Sequence, residues 1–293
     1  MSVLVLGGSG QVARALMAQG DDVPLVLRGR PALDFDAPDQ IPALLTDIKP
    51  RLILNAAAYT AVDKAENEPE AADRANHLGP RLLAAYAAAH GIPLLHISTD
   101  YVFDGSKRGP YVEEDATGPT GVYGASKLAG EHAVLASGAQ AIILRTAWVY
   151  AAEGKNFVRT MLGAAQRVPK LRVVADQIGN PSCADDLAAA MLAITRRILA
   201  EGFQPEFGGV FHASGTGATS WYHFAVEIFR LAAAHGRPMP EVEPIATADY
   251  PTPAKRPANS QLDCGKLERV FGLALPRWQK SLARVVDKVC AAP

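Results

Sequence analysis

A chain of 293 residues, 49% of them hydrophobic, is long enough to bury one large core or two unequal ones. With 29 basic and 30 acidic side chains, a formal net charge of −1 and no long basic run, it carries no electrostatic footprint for nucleic acid or an anionic membrane, so a small-molecule ligand is expected. No stretch approaches the ~20 apolar residues of a membrane span, and the apolar run after Met1-Ser2 is too short for a secretory leader. Cys183, Cys264 and Cys290 are widely spaced, with no Cys-x-x-Cys and no paired histidine, so the expectation is reduced cytoplasmic thiols and no zinc site.

Val3 to Leu6 forms the first apolar run, followed by Gly7-Gly8-Ser9-Gly10-Gln11-Val12-Ala13 and an Ala/Leu-rich helical pattern reaching Gly20. The spacing Gly7-x-x-Gly10-x-x-Ala13 departs from the commonest G-x-G-x-x-G yet keeps its physics. A glycine turn lets backbone amides approach a pyrophosphate, the helix amino terminus attracts its charge, and a small third residue permits close packing. Gly7, Gly10, Gln11 and Val12 are therefore candidate cofactor contacts. A second strand, around Val23 to Leu27, ends in Arg28-Gly29-Arg30, where a fold built for NAD usually presents an acid to the ribose. Arg28 favours the 2′-phosphate of NADP instead; a solvated surface pair is the plainer alternative. Asp34 and Phe35 are placed either to flank adenine or to cap the helix that ends near Lys49-Pro50.

Arg51 to Leu54 reads as the third strand, closed by Asn55-Ala56-Ala57-Ala58-Tyr59-Thr60, whose small side chains let a backbone lie against a cofactor. Glu70 to His90 is an alanine-rich helix ended by Gly91. Leu94 to Ile97 is a buried strand with Ser98-Thr99-Asp100 at its carboxyl end, where open α/β sheets place their ligands. Tyr123 and Lys127 open the next helix, four residues apart and so on one face. The ammonium is expected to lower the phenol from its usual ~10 toward the working pH, making a proton donor matched to a carbonyl. Ala141 to Leu144 is a further strand, ending in Arg145-Thr146-Ala147-Trp148-Val149-Tyr150. Strands alternating with helices predict an α/β fold, a doubly wound parallel sheet of Rossmann type, as an NAD(P)-binding domain over residues 1–150.

Beyond Tyr150 the pattern loosens. Asn156 to Arg167 reads as helix, Leu171 to Val174 as strand, Gln177 to Ser182 as a polar loop, and the region from Asp185 to Ala200 as helix. Val210 to His212 offers one more strand, so residues 180–213 are expected to return to the first domain. Residues 151–293 otherwise form a smaller, discontinuous substrate-binding lobe, with the proline-laden stretch Tyr250 to Pro257 running into Asn259-Ser260. Trp221, Phe224 and Phe229 sit at helical spacing and read as core.

The ordered set Gly7-x-x-Gly10-x-x-Ala13, Asn55 to Ala58, Ser98 to Asp100 and Tyr123-x-x-x-Lys127 resembles the extended short-chain dehydrogenase/reductases. Ala58 to Glu66, Ser98 to Phe103, Tyr123 to Gly130, Arg145 to Tyr150 and Arg256-Pro257-x-Asn259-Ser260 are more narrowly similar to the dTDP-4-dehydrorhamnose reductase family, over essentially the full length. That resemblance implies reduction of the 4-keto group of dTDP-4-dehydro-L-rhamnose with NADPH in preference to NADH. It implies that Tyr123 protonates the oxyanion, Lys127 holds the nicotinamide ribose, and Thr99 hydrogen-bonds the carbonyl oxygen. Asp100 and Trp148 would contact the sugar. Asn156, Asn180 and Arg256 would contact the nucleotide or diphosphate, Arg256 through the bidentate fit of guanidinium to phosphate. Ala58, Tyr59 and Thr60 would join the cofactor contacts.

Some members of that family form a metal-bridged dimer through a glutamate shortly after the glycine turn. Ala15 stands at the matching position, with Asp185 and Asp287 near the other carboxylates, so no metal is expected and a homodimer is left open. Two other classes also stay open. One is a nucleotide-sugar dehydratase or epimerase on the same fold, against which Asp100-Tyr101 stands where those dehydratases use Asp-Glu. The other is a non-catalytic NADP-binding regulatory subunit resembling the β subunit of methionine adenosyltransferase, with which the Thr99, Tyr123 and Lys127 set is also compatible.

Overall fold

The computed structural model describes residues 2–291. Six short apolar runs form one sheet: β1 (Val3–Leu6), β2 (Leu25–Arg28), β3 (Leu52–Asn55), β4 (Leu94–Thr99), β5 (Ala141–Thr146) and β6 (Gly209–His212). Their order is β6-β5-β4-β3-β1-β2 and every pairing is parallel. The runs are continuously apolar because both faces are covered. Val3, Val5, Leu52, Leu54, Ile142 and Leu144 pack in one layer with α1 (Gln11–Gln19) and the helix Ala184–Glu201. Leu4, Leu6, Ile53 and Ile143 pack in the other with α2 (Ile41–Ile48) and α3 (Gly79–His90). Ala15 is buried in the first layer.

Strand order reverses between β1 and β3, and the loops leaving their carboxyl ends therefore diverge to open a crevice at the switch point. The loop after β1 is the glycine turn, where the Gly10 N–H donates to the Gly7 carbonyl at 2.6 Å. The expected single helix from Glu70 to His90 is interrupted. Pro69–Asp73 is α-helical, Arg74–Leu78 is wound as a π turn, and α3 follows. Periodicity cannot mark that turn, because its partners lie elsewhere in the chain.

The remaining elements pack around a separate cluster of Tyr150, Phe224, Phe229, Trp278 and Leu282. Lys170–Val174 pairs in parallel with Glu241–Ile245, a strand that the sequence pattern did not mark. The expected loop from Gln177 to Ser182 holds two strands of two residues each. Ile178–Gly179 lies between Thr219–Ser220 and Asn259–Ser260, and Ser182–Cys183 pairs with Val149–Tyr150.

Candidate active site

The centre lies where β4 and β5 end side by side, with Thr99 in register with Thr146. Helix α4 (Val122–Ala136) approaches this point at its first turn. Its N-cap, Gly121, has no side chain to offer, so Glu66 supplies the cap: Oε1 accepts the Val122 N–H at 2.9 Å. Gly124 permits the close approach, since a Cβ there would stand 2.2 Å from the Tyr101 carbonyl oxygen. The Tyr101 and Tyr123 rings meet edge to face at 5.5 Å. Asn76, on the π turn, accepts the Tyr59 N–H at 2.8 Å and donates to the Tyr59 carbonyl and the Ser126 hydroxyl, each at 3.0 Å. One amide thus ties the β3 loop to the helix that carries Tyr123, a role for a π turn at a site. The sequence reading missed Asn76, and only its place in an otherwise alanine-rich stretch marked it.

Thr99 donates to Asp100 Oδ1 at 2.9 Å and accepts the Tyr101 N–H at 3.2 Å. Burial raises the Asp100 carboxyl to about 6, against the Ser260 and Thr99 hydroxyls that hold it down. The buried hydroxyls of Ser98 and Thr146 beside it have no hydrogen-bond partner among the described residues. Lys127 is wholly buried and donates to the Ile97 carbonyl at 2.6 Å. Burial lowers its pKa to about 8, while Glu131 pulls it upward. Burial and the Lys127 charge together hold His96 neutral, with its Nδ1 2.9 Å from Asn55 Nδ2.

Tyr123 corrects the expectation drawn from helical spacing. Its phenol is raised, not lowered: burial dominates, the Thr99 hydroxyl offsets part of the rise, and the charges of Asp100 and Tyr101 add to it. Lys127 shares the helix face, but its ammonium is engaged by the Ile97 carbonyl.

A cavity of about 630 Å³ opens at the switch point, lined by Gly7, Gly8, Ser9, Ala57, Leu33, Phe35 and others, with Arg14 and Arg30 as its charged walls. The N-terminus of α1 opens beside it with no side-chain cap and no acid in its first turn, so its amides are free to meet a phosphate. Among the described residues no carboxylate lines the cavity. A dinucleotide with a pyrophosphate and a further phosphate fits this donor set.

The arginine at the wall is Arg30, not Arg28. Arg28 Nη1 turns back to the Leu27 carbonyl at 2.9 Å, whereas Arg30 reaches the cavity while pairing with Asp34 at 2.8 Å and with Asp36. Asp34 thus serves Arg30, and Phe35 forms an apolar wall. Val12 is buried, while Gln11 Oε1 accepts from Asn156 Nδ2 at 2.9 Å. Of the β3 loop, Ala57 lines the cavity, Ala58 is half-buried, Tyr59 donates to Glu68 at 2.6 Å, and Thr60 is exposed.

Two residues expected at the nucleotide have their amides committed to the protein. Asn156 caps the helix Phe157–Ala165, accepting the Arg159 N–H, and also donates to the Ala151 carbonyl. Asn180 donates to the Gly215 and Gly217 carbonyls and accepts the Leu262 N–H, pinning three loops. The Asn180 bonds are not visible in sequence, because their partners lie up to 82 residues away. Arg256 is held by Asp63 at 2.6 Å and by the Tyr101 hydroxyl at 3.1 Å. Trp148, two residues past Thr146, is half-buried with a backbone φ of 47°. That left-handed conformation costs a non-glycine residue about 1 kcal/mol or more.

The family model described as RmlD substrate binding domain matches residues 1–291. A dTDP-4-dehydrorhamnose reductase of Sinorhizobium fredii (strain NBRC 101917 / NGR234) is 47% identical over 98% of this chain and 97% of its own length. Among solved structures, a dTDP-4-dehydrorhamnose reductase of Clostridium acetobutylicum superposes with a TM-score of 0.89 at 37% identity, covering 98% of this chain and 99% of that one. The Bacillus anthracis dTDP-4-dehydrorhamnose reductase in complex with NADP superposes with a TM-score of 0.88 at 32% identity, covering 98% and 100%.

Proposed function

Because the chain belongs to the RmlD substrate binding domain family, alongside dTDP-4-dehydrorhamnose reductases, we infer that it reduces the 4-keto group of dTDP-4-dehydro-L-rhamnose with a nicotinamide cofactor, NADPH in preference to NADH. The observation that carries this reading is the Thr99 hydroxyl set against the Tyr123 phenol in a dry site, with Lys127 buried on the same helix face. The reduced cofactor, when bound, supplies the hydride.

The protein's own groups manage the oxygen. As charge develops there, Thr99 turns its hydroxyl hydrogen from Asp100 toward the carbonyl oxygen, an interaction that strengthens in the transition state. Tyr123 then gives up its proton to the alkoxide, which is the stronger base. The upward shift of the phenol suits that role, since it keeps Tyr123 protonated until the alkoxide forms. Lys127, cationic below about pH 8, stands ready to stabilise the resulting phenolate. The glycine turn, Phe35 and Ala57 hold the cofactor, with Arg30 exchanging its exposed carboxylates for the extra phosphate. Arg256 serves the substrate diphosphate, Trp148 and Asp100 the sugar, and Asn156 and Asn180 act as scaffold.

In this reading residues 1–150 with the returning segment 180–213 make the cofactor domain, and the rest the substrate lobe. The enzyme works in the cytoplasm, its three cysteines free. A homodimer would form without a bridging metal, since Ala15 offers no ligand and Asp287 bonds His235. The test is to follow NADPH with purified protein. Oxidation should be stoichiometric with dTDP-4-dehydro-L-rhamnose, and dTDP-glucose should remain untouched. A 4-keto-6-deoxy product from dTDP-glucose without net cofactor change would make the protein a dehydratase instead.

A further inference from the structure

Trp221 reads in sequence as a core residue at the start of an amphipathic helix, yet its indole lies flat on that of Trp148, with ring centroids 3.5 Å apart and planes within 9°. Both residues are half-buried, and at this separation the rings eclipse one another, so Trp221 backs one whole face of the Trp148 indole. The local structure is organised around this contact. Ser220 caps the helix Trp221–Ala233 by accepting the His223 N–H, which fixes Trp221 at the first helical position. Thr219–Ser220 also pairs antiparallel with Ile178–Gly179, and Gly179 must be glycine because a Cβ there would stand 2.5 Å from the Trp148 ring. One two-residue ladder therefore seats both indoles. Phe157 flanks Trp221 at 4.6 Å.

Trp148 alone would be poorly held. It lies two residues past the end of β5, its backbone is left-handed, and its ring packs at the margin of a small cluster that includes Phe103. A flat partner restricts the ring to one orientation at the lip of the crevice. We propose that Trp221 is a positioning residue for the substrate, backing Trp148 so that its indole forms a rigid platform for the apolar face of a deoxyhexose. This rests on the reductase reading for its ligand class. Sugar carbon faces pack on aromatic rings, and a platform fixed before binding loses little entropy when it is used.

The test separates the platform from the reaction. Titration calorimetry with dTDP and with dTDP-L-rhamnose is run on the parent and on Trp221→Leu and Trp221→Phe, alongside the indole exciton couplet in far-ultraviolet circular dichroism. The parent should show the couplet, and both variants should lose it. Trp221→Leu should weaken dTDP-L-rhamnose roughly five- to tenfold, the scale of a lost aromatic contact. Affinities for dTDP and NADPH should stay within twofold, and Trp221→Phe should recover most of the loss. Equal weakening of dTDP, or unchanged affinity for the sugar nucleotide, overturns the proposal. If the Leu variant does not fold, the Phe variant decides: a two- to threefold loss confined to the sugar nucleotide supports the platform, and none overturns it. A parent that binds through Trp221 but does not oxidise NADPH keeps the platform and removes the reductase reading, whereas normal turnover with binding indifferent to Trp221 does the reverse.

Discussion

The reaction centre and the mouth of the cofactor cavity use charge in opposite ways. At the centre, Lys127 is fully buried, its pKa is drawn down to about 8, and no carboxylate bonds it among the described residues. At the mouth, Arg30 is 66% exposed and shared between Asp34 and Asp36, while Arg74 pairs with Asp36 in turn. Exposed ion pairs contribute little to stability, so Arg30 can release its carboxylates for a phosphate at small cost. A buried ammonium has no such freedom: moving it changes the field across the whole dry site. The centre should therefore respond to single changes in rate, and the mouth in affinity.

The sharpest challenge to that contrast is Tyr123→Phe. It should lower kcat by roughly 10²–10⁴-fold while NADPH affinity stays within twofold, read by steady-state kinetics and cofactor titration. A variant with near-normal kcat removes Tyr123 from the mechanism. Next comes Lys127→Met, for which kcat/KM should fall about hundredfold, near the lower end of the range for proton-transfer groups.

Lys127 also makes a claim on stability. Its folded pKa lies below the unfolded value, so between about 8 and ~10.4 the unfolded chain binds more protons, and stability rises with pH across that window. The contribution is lost as pH falls through about 8. Lys127→Met should flatten this rise in the thermal midpoint; a curve parallel to the parent's contradicts the assignment.

At the mouth the effects should be smaller. Arg30→Ala should raise the KM for NADPH about tenfold and leave that for NADH within twofold, the size of one hydrogen bond to a charged group, and Arg28→Ala should change neither. The reverse pattern would return the role to Arg28. Smallest is the response to chelation. With Ala15 buried on α1, activity and sedimentation should be unchanged by a chelator, and loss restored by Mg²⁺ would show a metal held elsewhere.

What the chain discloses unaided follows the same division. Continuous apolar runs such as Val3 to Leu6 and Ile142 to Leu144 can only be strands buried on both faces, and the motifs at their ends, from Gly7 to Lys127, depend on local spacing. Those were legible. The direction of the Tyr123 shift was not, because helical spacing reports the nearness of Lys127 but not the depth of burial around the phenol. Arg28 and Arg30 alternate along the chain leaving β2, and which one faces the cavity depends on the turn that follows. Asn76, Asn180 and Trp221 owe their roles to residues far away in sequence. Two-residue strands such as Ile178–Gly179 have too few positions to show any period.

The place of β6 reaches beyond catalysis, into how the protein comes into being. The sheet that cradles the cofactor is completed by Gly209–His212, which lies along β5 although Lys170–Val174 and the helix Ala184–Glu201 intervene in sequence. During synthesis β5 therefore waits with a bare edge while the intervening elements are translated, and a chain released at Tyr150 would keep that edge open to pairing with its copies. A cut at Tyr150 would therefore leave the sheet one strand short at the β5 edge.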